Sequence, residues 1–155
     1  MNNINQTQVT SVAIAIIEQD GKYLMQLRDD IPSIVYPGVW GFFGGHIEPG
    51  ESPEAALKRE LIEEINYHAP SLTKFCSTQA GNYLRHLFYC RLTVPVSDLE
   101  LREGWDLKLL SRQEIEQGFA YSDKAIANKL LGDIHRQIML DFLTSENRDR
   151  TVLQP

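Results

Sequence analysis

Three glutamates at helical spacing are the residues of this sequence best suited to carry out chemistry. Glu60, Glu63 and Glu64 fall at positions i, i+3 and i+4 of one segment, so a helix would carry all three carboxylates on one face. Like charges this close repel each other, and an ordinary surface helix gains no stability from them. A divalent cation would turn that repulsion into a binding site, because hard Mg²⁺ prefers carboxylate oxygens and is usually held together with water and substrate phosphates. The pattern predicts a metal-dependent enzyme that acts on phosphate compounds.

The segment that carries these glutamates has the start and stop signals of a short helix. Ser52 is a favoured N-cap residue, and Pro53 stands at the first helical position, where a missing N–H costs nothing. Asn66 stands just past the end, where a left-handed residue is expected. The predicted buried stripe, at intervals of four residues, consists of Leu57, Leu61 and Ile65. The glycines ahead of the helix, which let the backbone turn and approach a ligand, are Gly41, Gly44, Gly45 and Gly50.

Residues 45–67 closely resemble the signature of the Nudix hydrolases, Gly-x5-Glu-x7-Arg-Glu-U-x-Glu-Glu-x-Gly-U, in which U is a bulky apolar residue. The matching residues are Gly45, Glu51, Arg59, Glu60, Leu61, Glu63, Glu64 and Tyr67. Asn66 replaces the final glycine of the signature. Because asparagine tolerates the same left-handed backbone, we expect a small stability cost and little effect on the chemistry.

The resemblance implies separate roles for the residues of this box. The implied ligands of Mg²⁺ or Mn²⁺ are Gly44, through its carbonyl, and the side chains of Glu60, Glu63 and Glu64. Gly45 is implied to shape the loop, and a pair between Glu51 and Arg59 is implied to hold that loop against the helix.

The catalytic base stays open at this point. Glu60 or Glu64 is one choice, acting as a base instead of binding metal or in addition to it. In many members of the family the base lies on a later loop, and Glu103 is then the candidate for an added base or ligand. The metal ions would neutralise the developing charge of a diphosphate, while a carboxylate or metal-bound water supplies the nucleophile.

A glutamate-rich helix also has a simpler interpretation, since such a face is usually solvated and Lys58 and Arg59 would balance part of its charge. Some Nudix domains have lost catalysis and act as sensors or binding modules. Such domains usually lack one of the carboxylates, and this chain retains all of them. We therefore expect an active hydrolase.

Candidate substrate-binding residues lie outside the box. Arg28 ends a predicted strand, where a guanidinium suits a phosphate, but an ion pair with Asp29 or Asp30 explains it equally well. Trp105 and Tyr121 have loop-like neighbours and are the better candidates for stacking on a base, although large aromatic residues more often belong to a core. Two further residues, Arg85 and His86, face either the substrate or the outside of a strand.

Length and composition fit one globular domain. The chain has 155 residues, 43% of them hydrophobic, and we divide it into a flexible lead-in (1–8), a single domain (9–145) and a polar tail (146–155). The net charge of −6 gives no basic field that would attract nucleic acid, and no segment is apolar enough to span a membrane. Two cysteines without a metal-binding spacing are typical of a reduced, cytoplasmic protein. Relatives often dimerise, so a homodimer is possible, but nothing in the sequence decides it.

The order of the predicted elements is that of an α/β protein. Strands are predicted at 9–17, 22–28, 39–43, 72–78, 83–94 and 107–110, with a loop at 29–39. Ser111 and Glu114 form a capping-box pattern for a short helix, and a longer helix is predicted from Asp123 to Leu143 because Ile126, Leu130, Ile134 and Ile138 recur every four residues. These elements fit a mixed sheet between helical layers, the α/β/α sandwich of the Nudix family.

The expected function is a divalent-metal-dependent pyrophosphohydrolase. Its substrate would be a nucleoside triphosphate or a derivative of a nucleoside diphosphate, cleaved by attack of water on phosphorus. Two alternatives remain: a nucleotide-sugar hydrolase that attacks a sugar carbon, and a nucleotide-binding sensor without catalysis. Relatives known for attack at carbon depart from the box, so its intact form disfavours that alternative.

Overall fold

The structure is a computed structural model that describes the backbone of residues 8–152 and the side chains of residues 8–147. The strands, numbered β1 to β9 in chain order, are Thr10–Gln19, Lys22–Leu27, Trp40–Gly41, Phe43–His46, Thr73–Ala80, Tyr83–Arg91, Asp106–Leu110, Phe119–Ser122 and Ala127–Leu130. The helices α1 to α3 are Pro53–Ile65, Arg112–Gln117 and Asp133–Val152, and a short 3-10 helix covers Val96–Asp98. The predicted lead-in falls outside the described residues except for residue 8, as do residues 153–155 of the predicted tail, whereas residues 146–152 continue α3.

Seven of these strands form one mixed sheet. Its main order is β3-β2-β1-β6-β5, with β4 paired to β1 and β7 paired to β2. The pair β1–β6 is parallel, and the other pairs are antiparallel. Val12 is in register with both His46 of β4 and Arg85 of β6, so these three residues lie in one row across the sheet. Because paired residues of neighbouring strands share a face, the side chains of this row project to the same side.

Helices cover both faces of the sheet. Alternate residues of β1 enter two separate cores, as expected for a strand that is buried on both sides. Ala13 and Ala15 pack with the α1 stripe, which is fully buried. Val12 and Ile14 pack on the opposite face with residues of α2 and α3, among them Ile115, Ile138, Met139 and Phe142. The predicted α/β/α sandwich with a mixed sheet is confirmed.

The long helix predicted from Asp123 to Leu143 is wrong in nearly its first half. Residues 119–130 form the two-stranded hairpin β8–β9, and α3 begins only at Asp133. Ile126 and Leu130 are 78% and 66% exposed, so they do not belong to a buried helical stripe. Ile126 has a φ of 53° in the hairpin turn, a conformation that a helix excludes. The four-residue spacing that links Ile126 and Leu130 to Ile134 and Ile138 is therefore coincidental.

Both ends of α1 form as predicted. The Ser52 side chain accepts a hydrogen bond from the Ala55 amide, and Pro53 opens the helix. Asn66 is left-handed, with φ 51° and ψ 39°, and its amide donates to the carbonyl of Ile62. The capping box of Ser111 and Glu114 is present at the start of α2. Within the described residues, no helix has the length and apolar character needed to cross a membrane.

The left-handed conformation of Asn66 gives a direct test of this helix end. Asn66→Gly is expected to leave the free energy of unfolding nearly unchanged, because glycine adopts this backbone without strain. Asn66→Ala is expected to lower it by about 1 kcal/mol, because its Cβ clashes in the left-handed region. Urea unfolding measures both values. Equal free energies of unfolding for the two variants would show that the left-handed backbone at position 66 carries no cost for alanine.

Candidate active site

A single arginine organises the loop between β4 and α1. Arg59 Nε donates to Glu51 Oε2 at 2.9 Å, and Nη2 donates to Glu51 Oε1 at 2.9 Å, which makes a two-pronged pair. Nη2 also donates to the carbonyl of His46 at the end of β4. This pair holds the pKa of the Glu51 carboxyl at about 2, well below its usual value, mainly through the hydrogen bond from Arg59. The loop is thereby tied to both the strand that precedes it and the helix that follows.

The same guanidinium reaches two of the predicted metal ligands. Arg59 Nη1 lies 3.0 Å from Glu60 Oε1 and 3.3 Å from Glu63 Oε2. The Glu60 side chain is largely buried, whereas the Glu63 side chain is 53% exposed. The positive charge of Arg59 thus partly balances the repulsion between the helical carboxylates.

Glu64 is the most buried of the three glutamates. It is 4% exposed, and its Oε2 accepts a hydrogen bond from the Gly44 amide at 3.0 Å. Burial raises the pKa of its carboxyl to about 8, and the nearby charges of Glu60 and Glu103 act in the same direction. The pKa of Glu60 is also raised, again mainly by burial, although Arg59 opposes the shift. A positive charge placed beside these buried carboxylates would favour their ionised form and lower their pKa.

Two glycines allow the close fit between β4 and its neighbours. A Cβ atom at Gly44 would lie 2.1 Å from the backbone oxygen of Ala13, and the φ of Gly44 is 141°. A Cβ atom at Gly45 would lie 2.5 Å from Cδ of Glu60, so the absence of a side chain there gives the carboxylate its place against the strand. Both glycines thus allow close approach between β4 and its neighbours in the chain, whereas their predicted approach to a ligand stays a prediction.

An acidic cavity of about 320 Å³ adjoins Glu64. Glu103 and Arg28 line it together with Glu64, although Glu103 follows Glu64 by nearly forty positions in the chain. Arg28 makes no ion pair with Asp29 or Asp30 within the described residues; its Nε donates to the carbonyl of Val35 instead. The structure therefore brings Arg28 and Glu103, two residues singled out in the sequence, to the same cavity as Glu64 of the box.

A second cavity, of about 390 Å³, lies beside the first and shares Arg28 and Ile34 with it. Its lining is mostly apolar and aromatic, and it also contains Arg85 and His135. Strand alternation points Arg85 into this cavity, because it is in register with Val12. His86 lies on the other face, where its Nδ1 is 3.0 Å from Ser77 Oγ. Of these two neighbouring residues, Arg85 therefore faces the larger cavity and His86 does not.

Sequence reasoning gave His135 no role, although it lines the larger cavity. It lies on α3, and its Nδ1 is 3.5 Å from the amide nitrogen of Phe42, 93 positions earlier in the chain. No local pattern marks it, because its place beside Phe42 depends on how α3 packs against the sheet. A signal did exist for Arg85, as a charged residue within β6 between Tyr83 and Leu87, with which it shares the strand alternation.

The two aromatic residues proposed for base stacking do not line either cavity. Trp105 packs against the core, and the Nζ of Lys129 lies 5.1 Å from the centre of its ring. Tyr121 is 44% exposed on β8, where its carbonyl accepts a hydrogen bond from Lys108. The tyrosines that line the larger cavity are Tyr36 and Tyr83, which the sequence analysis did not single out.

The chemistry of the donor set fits a hard divalent cation. Glu60, Glu63 and Glu64 offer only oxygen atoms, on one helix face beside a cavity that contains a cationic side chain. Within the described residues, no group of three acidic, histidine or cysteine side chains is yet arranged as a coordination sphere. The guanidinium of Arg59 contacts the carboxylates of both Glu60 and Glu63.

The close approach of Gly45 to Glu60 predicts a variant that damages chemistry and spares the fold. Gly45→Ala is expected to lower kcat by about 100-fold, because the Glu60 carboxylate must move by roughly an ångström. The clash involves the end of a flexible side chain, so the melting temperature should change little. Gly44→Ala is the contrasting variant, since its clash is with backbone and should prevent correct folding. A Gly45→Ala protein with unchanged kcat would show that the position of Glu60 is not critical.

Comparison with known proteins agrees with this geometry. The family model described as NUDIX domain matches residues 7–130. Nucleoside triphosphatase NudI of Escherichia coli is 43% identical over 56 residues, which are 36% of this chain and 38% of that protein. The chain thus aligns with about two fifths of the length of this curated relative.

Solved structures show the same fold at low identity. A NUDIX hydrolase from Nitrosomonas europaea gives a TM-score of 0.68 at 20% identity, covering 96% of this chain and 75% of that one. A MutT NUDIX hydrolase from Burkholderia pseudomallei gives 0.64 at 18% identity, covering 83% and 94%. With a family model matched over most of its length, the chain belongs to the NUDIX domain family.

Proposed function

We propose that this protein is a divalent-metal-dependent pyrophosphohydrolase that cleaves a phosphoanhydride bond of a nucleoside triphosphate or of a nucleoside diphosphate derivative. The proposal rests on one observation: Glu64, Glu103 and Arg28 line the same cavity. Anionic oxygen donors and a cationic side chain around one space are what a diphosphate and its metal ions require. The nucleoside triphosphatase named among the relatives supports the same class of substrate.

Each residue has a defined role in this proposal. Glu60, Glu63 and Glu64 hold Mg²⁺ or Mn²⁺ together with the Gly44 carbonyl, and the metal supplies charge neutralisation at the phosphates. Arg28 binds a phosphate oxygen of the substrate. Glu103 is exposed at the mouth of the acidic cavity and is the candidate for the base that activates water. Arg59 and Glu51 do not touch substrate; they position the loop and the helix.

The expected partner is a small nucleotide, and we place the protein in the cytoplasm. Both cysteines are free, and burial raises the pKa of the Cys90 thiol to about 12, which makes it unreactive. A reduced compartment is consistent with both thiols. A homodimer remains part of the proposal and would be read from the mass in solution.

The test is a nucleotide panel incubated with Mg²⁺ in ¹⁸O-labelled water. The panel contains canonical and oxidised nucleoside triphosphates, nucleotide sugars and dinucleotides, and products are resolved by chromatography and mass spectrometry. Release of a nucleoside monophosphate with the label on a phosphate supports water attack at phosphorus. Label on a released sugar would establish attack at carbon, and binding without turnover would establish a sensor. The Glu64→Gln protein is the control for contaminating phosphatases.

A further inference from the structure

The larger cavity contains a buried guanidinium that lacks a counter-charge. Arg85 is 7% exposed, and its Nη1 has no hydrogen-bond partner within the described residues. Its Cζ lies over the ring of Tyr83, 5.3 Å from the ring centre. No aspartate or glutamate is among the described residues that line this cavity. A buried cationic donor without acceptors is costly, so an acceptor atom of a ligand would be bound favourably there.

His135 adds a second donor to the same cavity. It is 8% exposed, and its Nδ1 faces the Phe42 amide, so Nδ1 is the accepting nitrogen. A neutral ring that accepts at Nδ1 carries its proton on Nε2. Burial and the charges of Arg28 and Arg85 lower the pKa of His135 to about 4, which keeps the ring neutral at physiological pH. Nε2 is buried without a partner, so it is an unused N–H donor like Nη1 of Arg85.

The walls of the cavity suit a flat ring better than a phosphate. Val12, Ile14 and Phe42 contribute apolar surface, and Tyr36 and Tyr83 contribute aromatic surface. A volume of about 390 Å³ is in the range of small-ligand sites. The cavity shares Arg28 with the acidic cavity, so a ligand with its phosphates beside Glu64 has its base directed toward Arg85. Apolar walls with a few polar donors are the usual composition of a site that holds a nucleobase.

We propose that this cavity selects nucleobases with a carbonyl at purine C6 or pyrimidine C4 over those with an amine at the same position, and that Arg85 and His135 are the specificity-determining residues. Both unpartnered groups can only donate, so a carbonyl oxygen satisfies them, whereas an amine would place donor against donor. This inference rests on the proposed function in so far as the substrate is a nucleotide. Sites built to pair with one polar group reject the analogue that leaves their buried groups unpaired.

Two matched substrate pairs test the proposal. ITP and ATP differ at C6 and the adjacent N1, and UTP and CTP differ at C4 and the adjacent N3. Each first member has a carbonyl beside a ring N–H, and each second member has an amine beside an acceptor ring nitrogen. The wild-type protein is expected to show kcat/KM values at least about tenfold higher for ITP than for ATP and for UTP than for CTP. Equal values within both pairs would overturn the proposal while leaving the hydrolase function intact.

The residue assignment is tested by Arg85→Met, which removes the donors and keeps an apolar chain of similar length. It should reduce both ratios to near one, mainly by lowering kcat/KM for ITP and UTP. Arg91→Met is the matched control, because Arg91 is on the same strand with its side chain 79% exposed, and it should keep both ratios. A uniform loss for all four substrates in Arg85→Met would assign Arg85 to the phosphates or sugar and overturn the proposal.

A binding measurement separates this proposal from the hydrolase function. Melting temperatures of the wild-type and Arg85→Met proteins are recorded with ITP or ATP, without Mg²⁺ so that turnover does not interfere. A larger shift with ITP that disappears in Arg85→Met supports the selectivity even if no nucleotide is hydrolysed. Equal shifts with both nucleotides, or no shift with either, would contradict it.

Discussion

Glu63→Gln and Glu64→Gln are each expected to lower kcat by about 100-fold or more at saturating Mg²⁺ and saturating nucleotide. Both changes remove a negative charge and keep the shape of the side chain. A metal ion that stabilises transition-state charge contributes several kcal/mol, and each 1.36 kcal/mol is about tenfold in rate. Losing one anionic ligand weakens and misplaces that ion. The measurement is steady-state kcat over a range of Mg²⁺ concentrations.

Glu54→Gln is the matched control on the same helix. Glu54 pairs with Lys58 at 3.4 Å, and its side chain is 50% exposed in the first turn of α1, away from Gly44 and the acidic cavity. Its kcat should equal that of the wild type, because an exposed pair of this kind contributes little. If Glu63→Gln or Glu64→Gln also kept near-wild-type kcat at saturating Mg²⁺, the assignment of these residues to the metal would be wrong.

The parts of the fold that the sequence predicted correctly are those set by local signals. Ser52, Pro53 and Asn66 delimit α1 through contacts within a few residues, and Ser111 begins α2 in the same way. The hairpin β8–β9 has no such signal. It is held by distant partners, since the Trp40 ring nitrogen donates to the Ala120 carbonyl and Ser122 donates to Asp106. Because these bonds span 80 and 16 positions, four-residue spacing in the sequence could not reveal them.

The same distinction applies to the candidate site. The box spacing predicted which glutamates share a helix face, because spacing within one helix is a local property. The residues that line the larger cavity could be identified only from the register of the sheet, which decides that Arg85 and not His86 faces that cavity. They also required the docking of α3, which brings His135 to Phe42. Trp105 and Tyr121 were favoured for loop-like neighbours, but their direction is set by core packing and by the hairpin.

The second large effect concerns stability in the absence of metal. Glu64→Gln is expected to melt several degrees above the wild type at pH 9 with a chelator present, and close to the wild type at pH 5. The pKa of Glu64 is about 8 in the folded protein, against an ordinary value of 4.5. Between these two values the folded protein keeps a proton that the unfolded chain has lost. The free energy of unfolding therefore falls as the pH rises through this window, by about 1.4 kcal/mol per pH unit.

Glutamine removes this penalty because it is never ionised, and its carbonyl oxygen still accepts the hydrogen bond from the Gly44 amide. Melting curves of both proteins from pH 5 to pH 9 measure the difference, with Glu54→Gln as an exposed control. A gap in melting temperature that is the same at every pH would contradict the raised pKa. Mg²⁺ added at pH 9 should stabilise the wild type far more than the Glu64→Gln protein, because a cation beside Glu64 replaces the proton that burial otherwise demands. Burial of the ionised carboxylate lowers the free energy of unfolding at pH 9, and metal binding to the folded protein would raise it again.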